Sequence, residues 1–207
     1  MLHYFYLLDR RWLLEQMSPA LAKSWRRRDF APCLPLCREL AAKPIPDDAV
    51  ARLILTGLPY NRALWHALIG ECLVFGADAM PRVAVAPEAL CCLLAPDRVD
   101  ADPAALARRS PIEQMHFGTQ ALRFAGGWHR PDHVGWNDAA DVERLLGYAR
   151  SVVPQQWTAA ALARLPELTD AAQRAEELAY VRDWWPALVA MYEQAHAARQ
   201  VIVCERP

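Results

Sequence analysis

The sequence predicts an α+β fold, mostly helical, with a small sheet pairing the two ends of the chain. Three observations predict it. Leu2 to Leu8 is a short aromatic and aliphatic run closed by Asp9, Arg10 and Arg11. Gln200 to Cys204 is an equally short run rich in β-branched residues. Between these two candidate strands the apolar residues recur mainly at helical spacing.

The elements follow in order. Ser18 and Pro19 read as an N-cap and a first-turn proline. Asp47 or Asp48 opens a helix that ends at Gly57, and Asn61 to Gly76 is apolar on nearly every side, as in a buried helix. Arg82 to Ala86 reads as a further short strand, Pro87 to Leu94 as one helix and Asp102 to Arg109 as another. Asn137 or Asp138 caps a helix with Val142, Leu145, Leu146 and Ala149 on one face. Thr169 and Asp170 open the longest periodic stretch, in which Pro186 is expected to kink or split the helix, or to start a second one. Sixteen prolines predict short helices before residue 169.

Residues 1–207 are read as a single globular domain. At 54% hydrophobic and 23% charged residues the chain lies far from the composition of disorder. Its length suffices for one sizeable core. A net charge of -1 supplies no general attraction to nucleic acid. The charge is unevenly spread, with residues 1–43 carrying +4 and the remainder -5. The densest basic run, Trp25 to Arg28, is followed at once by Asp29 and reads as a solvated helix end.

No run approaches the roughly 18 apolar residues of a membrane helix. The first residues lack the flanks of a secretory signal. The six cysteines include no Cys-x-x-Cys and read as buried free thiols in a reducing cytoplasm.

Chemistry concentrates between Ser110 and Asp138, which holds three of the six histidines and four of the eight glycines. Glu113 and His116 belong to one Glu-Gln-x-His word, and Glu193 and His196 to a second. Two such words on helices are a known way to build a di-iron carboxylate site. Yet Ser110, Pro111 and Glu113 also make a capping box, which accounts for the glutamate without metal.

His129 and His133, with Asp132 between them and His116 upstream, form a second cluster that could hold a catalytic transition metal. The competing role is hydrogen bonding within a glycine-rich loop, Gly126 to Gly135, pinned by Trp128 and Trp136. No nucleophile elbow, phosphate loop or dinucleotide motif is present, so no cofactor other than that metal is implied.

Of the adjacent pair Trp184 and Trp185, a helix can turn only one fully inward. Trp184 is therefore a candidate protein-binding anchor, and Trp128 is a second.

DVERLLGYARSVVPQQW at 141–157 and YVRDWWPALVAMYEQAHAARQVIVCE at 180–205, together with the start LHYFYLLDRRWLLEQ, resemble the YfbM-like family of uncharacterised bacterial proteins. In the middle of the chain, Leu55-Thr56-Gly57 precedes Trp65-His66, the reverse of the family's order. The resemblance implies a small α+β cytoplasmic protein and assigns no functional residue.

Two functions from different classes follow. The first is a non-enzymatic module, of the immunity or regulatory kind, that binds another protein. The second is a metal-dependent enzyme using His116, His129 and His133 with Glu113 or Asp132.

Overall fold

A computed structural model describes residues 3–27, 31–36, 69–70, 72–73, 76–77, 82–84, 87–95, 109–124, 127–128 and 134–205. It is an α+β fold, helical over most of the described residues, and the two terminal strands pair as expected. Strand β1 (His3–Leu8) lies antiparallel to β7 (Val201–Glu205), with Tyr6 opposite Val203 and Leu8 opposite Val201. The sheet runs β2-β1-β7-β6-β3, where β2 is Arg82–Ala84, β3 Gln120–Ala121 and β6 Val134–Asn137. A separate short ribbon joins β4 (Arg123–Phe124) to β5 (Gly127–Trp128).

Both central strands are buried on two faces, which is why they read as continuous apolar runs rather than alternating ones. Phe5, Leu7, Ile202 and Cys204 face one core. It is filled by helices α2 (Pro87–Leu94), α3 (Pro111–Phe117), α4 (Ala139–Ser151) and α5 (Ala171–Ala198). Tyr6, Leu8, Val201, Val203, Val134 and Trp136 face the other. There they meet Leu13, Met17, Leu21, Ile69, Cys72 and Leu73. The sheet is the middle of three layers.

Several caps are those the sequence announces. Glu113 of α3 accepts from the Ser110 amide at 2.8 Å. Asp138 accepts from the Asp141 amide at 2.9 Å, and Asp170 from that of Gln173 at 2.8 Å. Residues 69, 70, 72, 73 and 76 are helical, in keeping with the buried helix expected over 61–76. The helices expected at 47–57 and 102–109 lie outside the described residues, apart from Arg109.

Two expectations are corrected, and two of the three outcomes open to Pro186 are excluded. Ser18 is not an N-cap, because the first helix already starts at Arg10 under the Asp9 carboxylate, which accepts from the amides of Arg11 and Trp12. The chain then widens into a π-type turn over Trp12–Met17 before α1 (Ser18–Arg27). The Ser18 amide and hydroxyl both donate to the Leu13 carbonyl, five residues back. Wide turns of this kind absorb a backbone group that the regular ladder cannot pair, here next to Pro19, which has no amide hydrogen. Arg26 and Arg27 sit exposed in the last turn of α1, the solvated end that the charge run predicted.

Pro186 neither splits α5 nor starts a new helix. The helix continues through it to Ala198, and Pro186 is exposed, so the carbonyl it leaves without a donor can be hydrated.

The stretch Gly126–Gly135 is not wholly a loop either. It contributes β5 and the start of β6, and β6 is an interior strand of the main sheet between β7 and β3. Gly135 permits this, because a Cβ there would collide with the Phe117 carbonyl where α3 crosses the strand. Gly118 ends α3 at φ 76°, ψ 164°, a conformation essentially reserved for glycine.

Candidate functional site

Helix α3 carries the described part of the candidate cluster. Glu113 is committed to the cap, accepting from both the amide and the hydroxyl of Ser110. One turn on, His116 is fully buried, and its Nδ1 donates to the Ile112 carbonyl at 2.9 Å. A carbonyl only accepts, so Nδ1 holds the proton and Nε2 presents a lone pair. That Nε2 has no hydrogen-bond partner among the described residues. Burial pushes the imidazole down to about 4, against the Ile112 carbonyl, which favours its protonation, and with nearby His3 disfavouring it. His116 is neutral at physiological pH.

His3, which no sequence motif singles out, lies beside it. It is on the same face of β1 as Phe5 and Leu7, and its Nδ1 donates to the His116 carbonyl at 3.3 Å. The two imidazole centroids are 6.2 Å apart, and His3 stands edge-on to Phe117 at 5.0 Å. The Arg109 guanidinium lies 4.7 Å over the Phe117 ring. The rings of Phe5 and Trp184 also flank His116, with centroids at 5.9 and 6.1 Å.

A polar network continues from α3 across the first face of the sheet. Asn137 Nδ2 donates to the Gln114 carbonyl at 2.9 Å and to the Tyr192 hydroxyl at 3.1 Å, while its Oδ1 accepts from the Thr119 amide. Tyr192 in turn donates to the Met115 carbonyl at 3.1 Å. Gln114 Oε1 accepts from Arg144, which also bridges to Asp141, and Asp141 accepts from the Thr119 hydroxyl. Both side-chain polar atoms of Asn137 are hydrogen-bonded, so the network fastens α3, α4, α5 and β6 to one another.

On the opposite face a second buried polar pair joins the termini. Tyr6 donates to Glu205 at 2.6 Å, and burial raises the Glu205 carboxyl above its ordinary value, with the Tyr6 bond opposing.

The structure separates the two Glu-Gln-x-His words. His116 is enclosed, whereas His196 is exposed near the end of α5 and Glu193 pairs at the surface with Arg150 at 2.8 Å. His129, His133 and Asp132 lie outside the described residues. Among the described residues no group of three or more His, Cys, Asp or Glu side chains is placed to hold a metal ion.

Trp128 belongs to β5, and Trp136 is buried in the second core. Trp185 turns inward, 4% exposed, with its ring edge-on to Trp157 at 5.5 Å. Trp184 stays partly exposed beside His116. One turn earlier on α5, four residues before Trp184, Tyr180 is 44% exposed. Glu177 continues the same side. Its carboxyl is raised by burial and by the neighbouring carboxylates of Glu167 and Glu88. No helix among the described residues is long and apolar enough to cross a membrane.

No protein-family model, curated protein or solved structure matches the chain.

Proposed function

We propose that the chain is a non-enzymatic protein-binding module of the immunity or regulatory kind, acting in the cytoplasm through the Tyr180–Trp184 side of α5. The observation that carries this reading is the aromatic pair itself. Tyr180 and Trp184 stand one turn apart on a long helix held in the core by Val181, Trp185, Leu188 and Tyr192, with Trp184 half-buried at the edge of that core and Tyr180 exposed beyond it. Aromatic anchors on a rigid element lose little freedom on binding, which is the usual makeup of an interface hot spot. The carboxylates of Glu88, Glu167 and Glu177 crowd the start of this side, so the partner surface that fits it carries Lys or Arg.

Pull-down from the native extract, with neighbouring genes co-expressed, tests the reading. A stoichiometric partner that is retained by the wild type and lost by Tyr180→Ala and Trp184→Ala supports it. No partner, or one held equally by both variants, refutes it.

The second reading, a metal-dependent enzyme drawing on His116, His129 and His133 with Glu113 or Asp132, is favoured by one observation. His116 Nε2 offers a buried lone pair with no hydrogen-bond partner among the described residues. Metal analysis of protein purified without a histidine tag decides it. Less than about a tenth of an equivalent of transition metal, unchanged in His116→Ala and His129→Ala, rules this reading out.

A further inference from the structure

We propose that His116 anchors Trp184: the indole turns in place and its Nε1–H donates to the open lone pair on His116 Nε2, fixing the ring on the docking side of α5. That Trp184 docks a partner rests on the protein-binding reading above, whereas the bond itself does not.

The acceptor is defined by the turn of α3 that carries it. His116 Nδ1 donates to the Ile112 carbonyl at 2.9 Å, so the second nitrogen of the neutral ring holds a lone pair. That nitrogen is closed to solvent and has no hydrogen-bond partner among the described residues. Leaving a buried acceptor in this state costs stability, and native interiors pair nearly all of them. A water needs a cavity of its own, so a donor already packed against the ring reaches Nε2 with less rearrangement.

One such donor lies within reach. Three described rings flank His116, those of His3, Phe5 and Trp184, with centroids at 6.2, 5.9 and 6.1 Å. Phe5 has no polar hydrogen. His3 gives its Nδ1 proton to the His116 carbonyl at 3.3 Å, so in the neutral ring its other nitrogen is an acceptor as well. The Trp184 indole is a donor only, and it makes no hydrogen bond to another described residue.

The spacing fits. Two rings joined by an N–H···N bond of about 3 Å have their centres about 6 Å apart, close to the separation already present. Rotation about χ2 of tryptophan is broad and roughly two-fold, so the indole can turn over without displacing α5. Trp184 is only half-buried, which leaves its outer edge free for that turn. An indole held in one orientation loses less freedom when a partner covers it. His116 is thus a positioning residue for Trp184 and does not itself touch the partner.

The test is nitrogen-15 NMR of the full chain, free in solution and labelled in histidine and tryptophan. The expected result is a scalar coupling through the hydrogen bond between Trp184 Nε1 and His116 Nε2, lost in Trp184→Phe. The Trp184 indole proton should also exchange about tenfold faster in His116→Phe than in the wild type. The proposal is overturned if His116 Nε2 resonates as a bare lone pair, or if it is bonded to water or to a metal ion instead of the indole. Unchanged exchange in a folded His116→Phe overturns it too. The coupling is read on the wild type, so it decides the matter even where a variant fails to fold. No partner is needed. A bond in a protein that captures no partner sinks the protein-binding reading alone, and a captured partner without the bond sinks this inference alone.

Discussion

Asn137 and Tyr192, fifty-five positions apart, meet at 3.1 Å between the β6 amide and the α5 hydroxyl, deep in the core between sheet and helices. Both are fully buried, and both also reach the backbone of α3, Asn137 at Gln114 and Tyr192 at Met115. This is the joint that sets α3, with His116 on it, against the sheet.

Removing the Tyr192 hydroxyl takes its bond from the Met115 carbonyl, which keeps the longer contact from the Cys204 thiol, at 3.5 Å. Tyr192→Phe should therefore cost about 1–2 kcal/mol in denaturant unfolding, and Asn137→Ala, which strips three partners at once, about 3 kcal/mol or more. The two losses should be far from additive in the double variant, because they share a bond. A Tyr192→Phe protein as stable as wild type would show the joint to be unimportant.

His116 predicts an acid-side loss of stability. Its folded ionisation lies at about 4 against an ordinary value of 6.5, so between those values the unfolded chain binds the extra proton. Stability from this group is complete above about 6.5 and declines as the pH falls towards 4, by up to about 3 kcal/mol. Unfolding curves at several pH values should show this slope in the wild type and its loss in His116→Leu. Parallel curves for the two proteins would mean that His116 is not buried in its neutral form.

Glu205 works in the opposite direction. Its folded ionisation is raised above 4.5, so the protonated form favours the folded state, and that stability is lost as the pH rises through the folded value. Glu205→Gln keeps an oxygen for the Tyr6 hydroxyl without the charge. It should be more stable than wild type at neutral pH and no more stable well below pH 4.5. A destabilised Gln variant at pH 7 would contradict the desolvation account.

Gly118 and Gly135 hold the crossing of α3 over β6. Gly118→Ala should cost about 1–3 kcal/mol for the backbone conformation alone, with more from the collision with the Trp136 amide. Thermal melts of Gly118→Ala and Gly135→Ala check this, against Gly147→Ala, where a Cβ meets nothing within 4 Å and the helix should gain slightly. Equal melting temperatures for all three variants would refute the tight crossing.

Much of this fold is legible in the sequence where the signal is local. The terminal strands, the helix 87–94 and the caps at Ser110, Asp138 and Asp170 each depend on residues within a few positions of one another. Strand β6 escapes such a reading because Val134-Gly135-Trp136-Asn137 has one β-branched residue and a glycine, and the glycine is there for a contact with α3 rather than for a turn. Ser18 and Pro19 mislead because the true cap, Asp9, also closes the preceding strand run.

The partners that define the candidate site are distant. His3 meets His116 across 113 positions, where α3 packs on the sheet, and Tyr6 meets Glu205 across 199, where the terminal strands pair. Trp184 and Trp185 are the exception, since adjacency on a helix already demands that one of them stay near the surface.

The protein-binding reading is tested most directly by hydroxyl-radical footprinting of α5 with and without a purified stoichiometric partner. Tyr180 and Trp184 are predicted to be oxidised in the free protein and at least tenfold slower in the complex, while exposed Val153 keeps its rate. Unchanged oxidation of Tyr180 and Trp184 in a saturated complex would contradict it.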